Sequence, residues 1–153
     1  MEAGDRTHRA QCFVPAAPHA VHEALVRPEQ LVRWLPPPGA SGRIDVFEPR
    51  PGGRIRITLR FAAAAGKSSA DTDVIEGRFI ELVPDRRVVQ AFSFASDDPR
   101  FAGVMTMTWQ LEAVTGGTQV QVTATDVPAG IARAEHEQGM ASSLANLRAW
   151  LAS

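Results

Sequence analysis

Tyrosine is absent from this chain, cysteine occurs once, at Cys12, and lysine once, at Lys67. Without tyrosine, no phenol can serve as a catalytic acid or oxyanion donor. A single cysteine excludes an intramolecular disulfide and a Cys-based zinc site, which agrees with a reducing compartment. The basic residues are almost all arginine, and the formal net charge is only -1. Nothing in that balance points to nucleic acid or an anionic membrane as partner. No apolar run approaches the roughly 20 residues of a membrane span. The opening MEAGDRTHRA has no apolar segment of the kind a secretory signal needs. The expected location is therefore cytoplasmic. Common enzyme signatures are missing too. Gly39-Ala40-Ser41-Gly42 is too short and wrongly flanked for a phosphate loop, and no nucleophile elbow occurs. No cofactor is expected.

What is present suits one domain, residues 1–153, with 44% hydrophobic residues and enough length to bury a core. A strand from about Arg9 to Val14 is stopped by Pro15 and Pro18, and Pro18 suits a first helical position. Val21, Ala24 and Leu25 then fall at helical spacing. Pro28 ends that helix and starts a second carrying Leu31 and Trp34. Pro36-Pro37-Pro38-Gly39 forms a stiff exit.

The middle of the chain reads as strands. Arg43–Phe47 is followed by the turn Pro51-Gly52-Gly53. Arg54–Phe61 places Ile55, Ile57, Leu59 and Phe61 on one face, and Arg54, Arg56, Thr58 and Arg60 on the other. Ala62–Thr72 is a small-residue connection. Asp73–Val83 is a strand whose phase blurs at Gly77, which marks a bulge or a close contact. Val88, Gln90, Phe92 and Phe94 share a phase, as do Met105, Met107, Trp109 and Leu111. A Gly116-Gly117 hairpin leads to Gln119–Thr125. One long helix covers about Ile131–Ala152, with Met140, Leu144, Leu147 and Leu151 at three- and four-residue steps.

This pattern predicts an α+β fold: a curved antiparallel sheet of about six or seven strands wrapped on the long C-terminal helix, with two short N-terminal helices closing one end. The outer face of Arg, Thr and Gln meets water. The inner face must be covered, and only the last helix is large enough to cover it. A sheet wrapped on a single helix often leaves space that side chains do not fill, which becomes a pocket.

Several short runs carry a family resemblance: Phe13-Val14-Pro15-Ala16, the helix pair around Ala24-Leu25, Pro28-Glu29-Gln30-Leu31 leading to Arg33-Trp34, and Pro51-Gly52-Gly53. Further along come Glu76-Gly77 before Glu81-Leu82-Val83-Pro84, Gly116-Gly117-Thr118, and Gly139-Met140 with the downstream leucines. In this order, over nearly the full length, they resemble the SRPBCC superfamily, the START-like or helix-grip fold. Within it the chain is most similar to bacterial single-domain relatives of the C-terminal domain of the activator of heat-shock protein 90 ATPase. Leu35 departs from the pattern, since relatives often carry an aromatic there.

The resemblance implies a small apolar or amphipathic ligand, lipids included, held between sheet and C-terminal helix. It also implies two alternatives: a cyclase- or hydratase-like enzyme using the same cavity, or a chaperone-associated interaction module linked to stress response. The chain would act as a monomer or a homodimer.

Thirteen side chains are candidates to line the cavity. Trp34 either lines it or anchors the second helix, and Leu35 borders its mouth. From the strands come Phe61, Phe79, Phe92, Phe94, Met105, Met107 and Trp109, each of which also suits plain core packing. From the helix come His136, Gly139, Met140 and Ser143. Gly139 costs about 1 kcal/mol mid-helix relative to alanine. It marks a bend, close packing on a strand, or room for a ligand. His136 is a buried neutral histidine or a catalytic base. His19, His22 and Glu23 are spaced so that two could meet a metal, but no third ligand is fixed, so no metal is expected. The arginines at 54, 56 and 60 read as a solvated face.

Overall fold

The computed structural model describes residues 6–37, 39–62 and 71–152. Seven strands form an antiparallel sheet: β1 (His8–Val14), β2 (Ala40–Phe47), β3 (Arg54–Phe61), β4 (Thr72–Val83), β5 (Arg87–Phe94), β6 (Met105–Val114) and β7 (Gly117–Thr125). Their spatial order is β1-β7-β6-β5-β4-β3-β2, so every neighbour except β1–β7 is a sequential hairpin. The helices are α1 (Pro18–Val26), α2 (Pro28–Trp34) and α3 (Arg133–Ala152). The observed architecture is thus the expected helix-grip α+β fold. The connection expected at Ala62–Thr72 falls mainly on residues 63–70, which lie outside the described residues, as do Pro38 and Lys67.

Both short helices begin with proline at their first turn, where an N–H has no intrahelical partner to lose. Glu29 in the first turn of α2 and Arg33 in its last both suit the helix dipole. The alternation in β3 is realised directly: Ile55, Ile57 and Leu59 are buried, while Arg54, Arg56, Thr58 and Arg60 lie on the outer face. Arg56 pairs with Glu76 and Arg60 with Asp71, so this row is a solvated, charge-balanced face.

Gly77 is a close contact and not a bulge. A Cβ there would lie 1.9 Å from the carbonyl oxygen of Ala91 on β5, so only glycine lets the two backbones meet. The bulge in β4 falls two residues later, between Phe79 and Glu81, and a second lies between Ile44 and Val46 in β2. Bulges bend a strand and increase its twist, which curls this side of the sheet. β2 also starts earlier than its sequence suggested. It runs from Ala40 because Gly42 lets the chain pass under Pro36, whose ring would sit 3.0 Å from an added Cβ.

The helix α3 does not sit centrally. It packs chiefly on β1 and touches α1 and α2. Its side chains also finish α2: Ser143 Oγ donates to the Leu35 carbonyl at 2.8 Å, and Asn146 Nδ2 donates to the carbonyls of Trp34 and Pro36 at 3.2 Å each. These are C-terminal helix carbonyls that would otherwise lack partners. Among the described residues, no helix is long and apolar enough to cross a membrane.

Candidate functional site

Because α3 lies over the β1 edge, the concave faces of β3, β4, β5 and β6 are left partly uncovered. The space between them and the first half of α3 is a cavity of about 420 Å³. Its walls are mainly apolar. The inward phases of β5 and β6 supply Phe92, Phe94, Met105, Met107 and Trp109, and α2 with its exit supplies Leu31, Leu35 and Pro37. One end is deep: Leu25, Leu31, Gln90 and Trp109 are each 5% exposed or less. The other end is a rim of exposed residues, among them Gly130, Ala132 and Glu135.

Every sequence candidate lies on this wall except Trp34 and Phe79. Trp34 is wholly buried behind the wall. Its Nε1 donates to the Ala24 carbonyl at 3.0 Å, and its ring meets Trp109 edge-on at 5.7 Å. It joins α2 to α1 and backs the cavity. Phe79 is also fully buried and packs edge-on against Phe47 at 5.2 Å, toward the turn end of the sheet. Ser143 reaches the wall, but its hydroxyl is engaged with Leu35.

Gly139 has no atom within 4 Å of where a Cβ would stand, so close packing does not explain it. It shares a helix face with His136 and Ser143, at spacings of three and four, and that face borders the cavity. The glycine leaves the cavity wider by the size of a side chain.

His136 is paired. Its Nδ1 lies 2.8 Å from Nδ1 of His8 on β1, and the rings meet edge-on at 5.0 Å. Nε2 of His8 is buried without a hydrogen-bond partner. A buried N–H left unpaired is rarer than an unpaired lone pair. The pattern that avoids one has His8 donating from Nδ1, with the lone pair of His136 Nδ1 accepting. Burial, then the charges of Arg6 and Arg133, hold the His8 pKa below its ordinary 6.5, with Glu137 opposing them. Arg6 is fixed there by the carbonyls of Val127, Pro128 and Ile131. The pair therefore fastens the start of α3 to β1, and burial favours the neutral form of His8 within it.

Besides Glu135 at the rim, two buried wall residues carry polarity that sequence reading did not assign to the site. Asp73 on β4 is 2% exposed and Gln90 on β5 is 5% exposed. Gln90 was visible as a polar residue in an otherwise apolar phase. Asp73 was hidden by the blurred phase of its strand. Two other apolar wall residues lie outside the periodic segments: Phe101 ends the short turn Pro99–Phe101, and Ile131 precedes α3, which begins at Arg133 and not at about Ile131 as expected.

Elsewhere, His19 pairs with Asp85 at 3.0 Å and Glu23 with Arg27. Among the described residues, no group of three His, Cys, Asp or Glu side chains is gathered to hold a metal.

The fold is shared with several bacterial proteins of known structure. The Chromobacterium violaceum protein CV1439 is 27% identical, with a TM-score of 0.85 over 95% of this chain and 96% of that one. A Rhodobacter sphaeroides protein is 24% identical, with a TM-score of 0.80 over 99% and 93%. An Arthrobacter aurescens protein solved by NMR is 18% identical, with a TM-score of 0.81 over 99% and 89%. Among curated proteins, none matches the chain. Residues 15–152 match the family described as Activator of Hsp90 ATPase homolog 1-like protein, within the SRPBCC fold. The match spans nearly the whole chain, which therefore belongs to that family.

Proposed function

We propose that the chain binds a small apolar or amphipathic molecule in the cavity between the sheet and α3. The observation that carries this reading is the cavity itself, about 420 Å³ with an apolar wall and an open rim. That volume falls in the usual range for small-molecule sites, which are mostly apolar with a few placed polar groups. Gly139 supports it, because a helix interior keeps glycine against its propensity while nothing packs on it.

Asp73 and Gln90, the two most buried polar side chains of the wall, are not gathered at one point. Asp73 lies on β4 six positions from Phe79, the residue paired with Gln90. At about 3.3 Å per residue that is roughly 20 Å, too far for both to act on one bond. His136 spends Nδ1 on His8.

Native mass spectrometry of the purified protein tests the reading. A bound small molecule, released on denaturation, is expected. A bare polypeptide mass that also fails to bind the neutral dye Nile red would overturn it.

A further inference from the structure

The deep end of the cavity carries a fixed hydrogen-bond donor. Gln90 and Trp109 are diagonal neighbours on β5 and β6, since Gln90 pairs with Met107. Trp109 Nε1 lies 3.1 Å from Gln90 Oε1. An indole N–H is a donor only, so the amide must present its oxygen to it. The carboxamide is thereby locked with its NH₂ group turned the other way. Among the described residues, that bond is the one hydrogen bond of the Gln90 side chain, and the amide nitrogen donates to no protein group. The residue is 5% exposed and forms part of the cavity wall. The indole cannot swing aside, because Trp34 is wholly buried behind it with its ring edge-on to Trp109.

Charge narrows the chemistry that fits. No Lys or Arg is among the described residues of the wall, and its two acidic side chains are Asp73 and Glu135. A carboxylate carried to the deep end would be desolvated with no cation to meet it. A neutral oxygen acceptor has no such cost and would satisfy the amide.

We infer that the ligand is an uncharged carbonyl compound with an apolar body, its carbonyl oxygen accepting from the Gln90 amide at the deep end. This rests on the cavity being the binding site and adds the class of ligand. The ionised carboxylate form of a fatty acid is disfavoured; a ketone, ester or amide is selected.

The test uses three probes with one body: acetylnaphthalene, ethylnaphthalene and naphthoate, titrated into the full-length protein by calorimetry. The ketone should bind about tenfold tighter than the hydrocarbon, as one net hydrogen bond allows, and tighter than the anion. Its carbonyl stretch should shift to lower frequency on binding. In Gln90→Met the preference for the ketone and the frequency shift should both vanish while the hydrocarbon still binds. Gln90→Met strands the Trp109 N–H, so the double variant Gln90→Met/Trp109→Phe, which removes both polar partners, repeats the measurement if the single variant is unstable. Equal binding of ketone and hydrocarbon to the natural protein overturns the inference and leaves the cavity reading intact. Tightest binding of naphthoate overturns it likewise. No binding of any probe overturns both.

Discussion

The two halves of the sheet interior are both apolar, yet one is filled and the other borders open space. On the β1 and β7 side, Val14, Val120, Val122 and Ala124 share one core with Leu144 and Leu147 of α3, and all six are wholly buried. Under β3 to β6, Phe61, Phe94 and Met107 keep partial exposure and border open space. Small aliphatic residues line the first half and larger Phe and Met side chains the second, so bulk alone does not fill the space. The position of α3 separates the halves, because one helix about 10 Å wide covers only part of a seven-stranded sheet, and this one lies along β1. The packed half holds the helix, and the uncovered half holds the cavity.

Truncations on the two sides should therefore differ most. Leu144→Ala empties a fully packed position and should lower unfolding free energy by about 2–5 kcal/mol in urea titrations. Met107→Ala removes atoms that already face open space and should cost roughly 1 kcal/mol, while weakening ligand binding. Equal losses would erase the distinction.

The open half is not soft throughout. Gly77→Ala puts a methyl group 1.9 Å from the Ala91 carbonyl oxygen and against Phe92. Separating β4 from β5 should cost about 3 kcal/mol, read by the same titration. A neutral result would mean that the two strands do not approach as closely as described.

The seam between the halves is the His8–His136 pair, and its expected effect is smaller. The pKa of His8 is below 6.5 in the folded chain because of burial and the nearby Arg6 and Arg133 charges. The unfolded chain then binds the proton more readily. The contribution of His8 is fully present above 6.5 and is lost as pH falls from 6.5 through the lowered folded value. Melting temperature should fall across that window, and the fall should be shallower in His8→Ala. An identical slope in the variant would detach the pH dependence from this pair.

Most of the fold was legible in the sequence. Period-two alternation in β3 and β6, the turn at Pro51-Gly52-Gly53 and the prolines opening α1 and α2 each act through local sterics and one-sided burial. The wall residues on β5 and β6 were legible for the same reason. What stayed hidden depends on distant parts of the chain. The leucine stripe of α3 shows which helix face is buried, but not that β1 lies beneath it. Trp34 reads equally as wall or anchor until the Ala24 carbonyl is seen to take its N–H. Phe79 looks like a wall residue until Phe47 is found against it. Gln90 stood in plain sight, yet its donor role follows only from the indole across the strand pair.

The central claim is that the space left beside α3 is where a ligand sits. Gly139 offers direct access to it, since a side chain there enters open space on the cavity face. Nile red affinity should be measured by fluorescence titration for the natural chain, Gly139→Ala and Gly139→Leu, alongside their unfolding midpoints. Both variants should be as stable as the natural chain or more so, by about 0.5–1 kcal/mol from helix propensity. The alanine variant should bind nearly as well, and the leucine variant at least about tenfold more weakly because its side chain occupies the ligand's place. Undiminished binding by a stable Gly139→Leu protein would contradict the account.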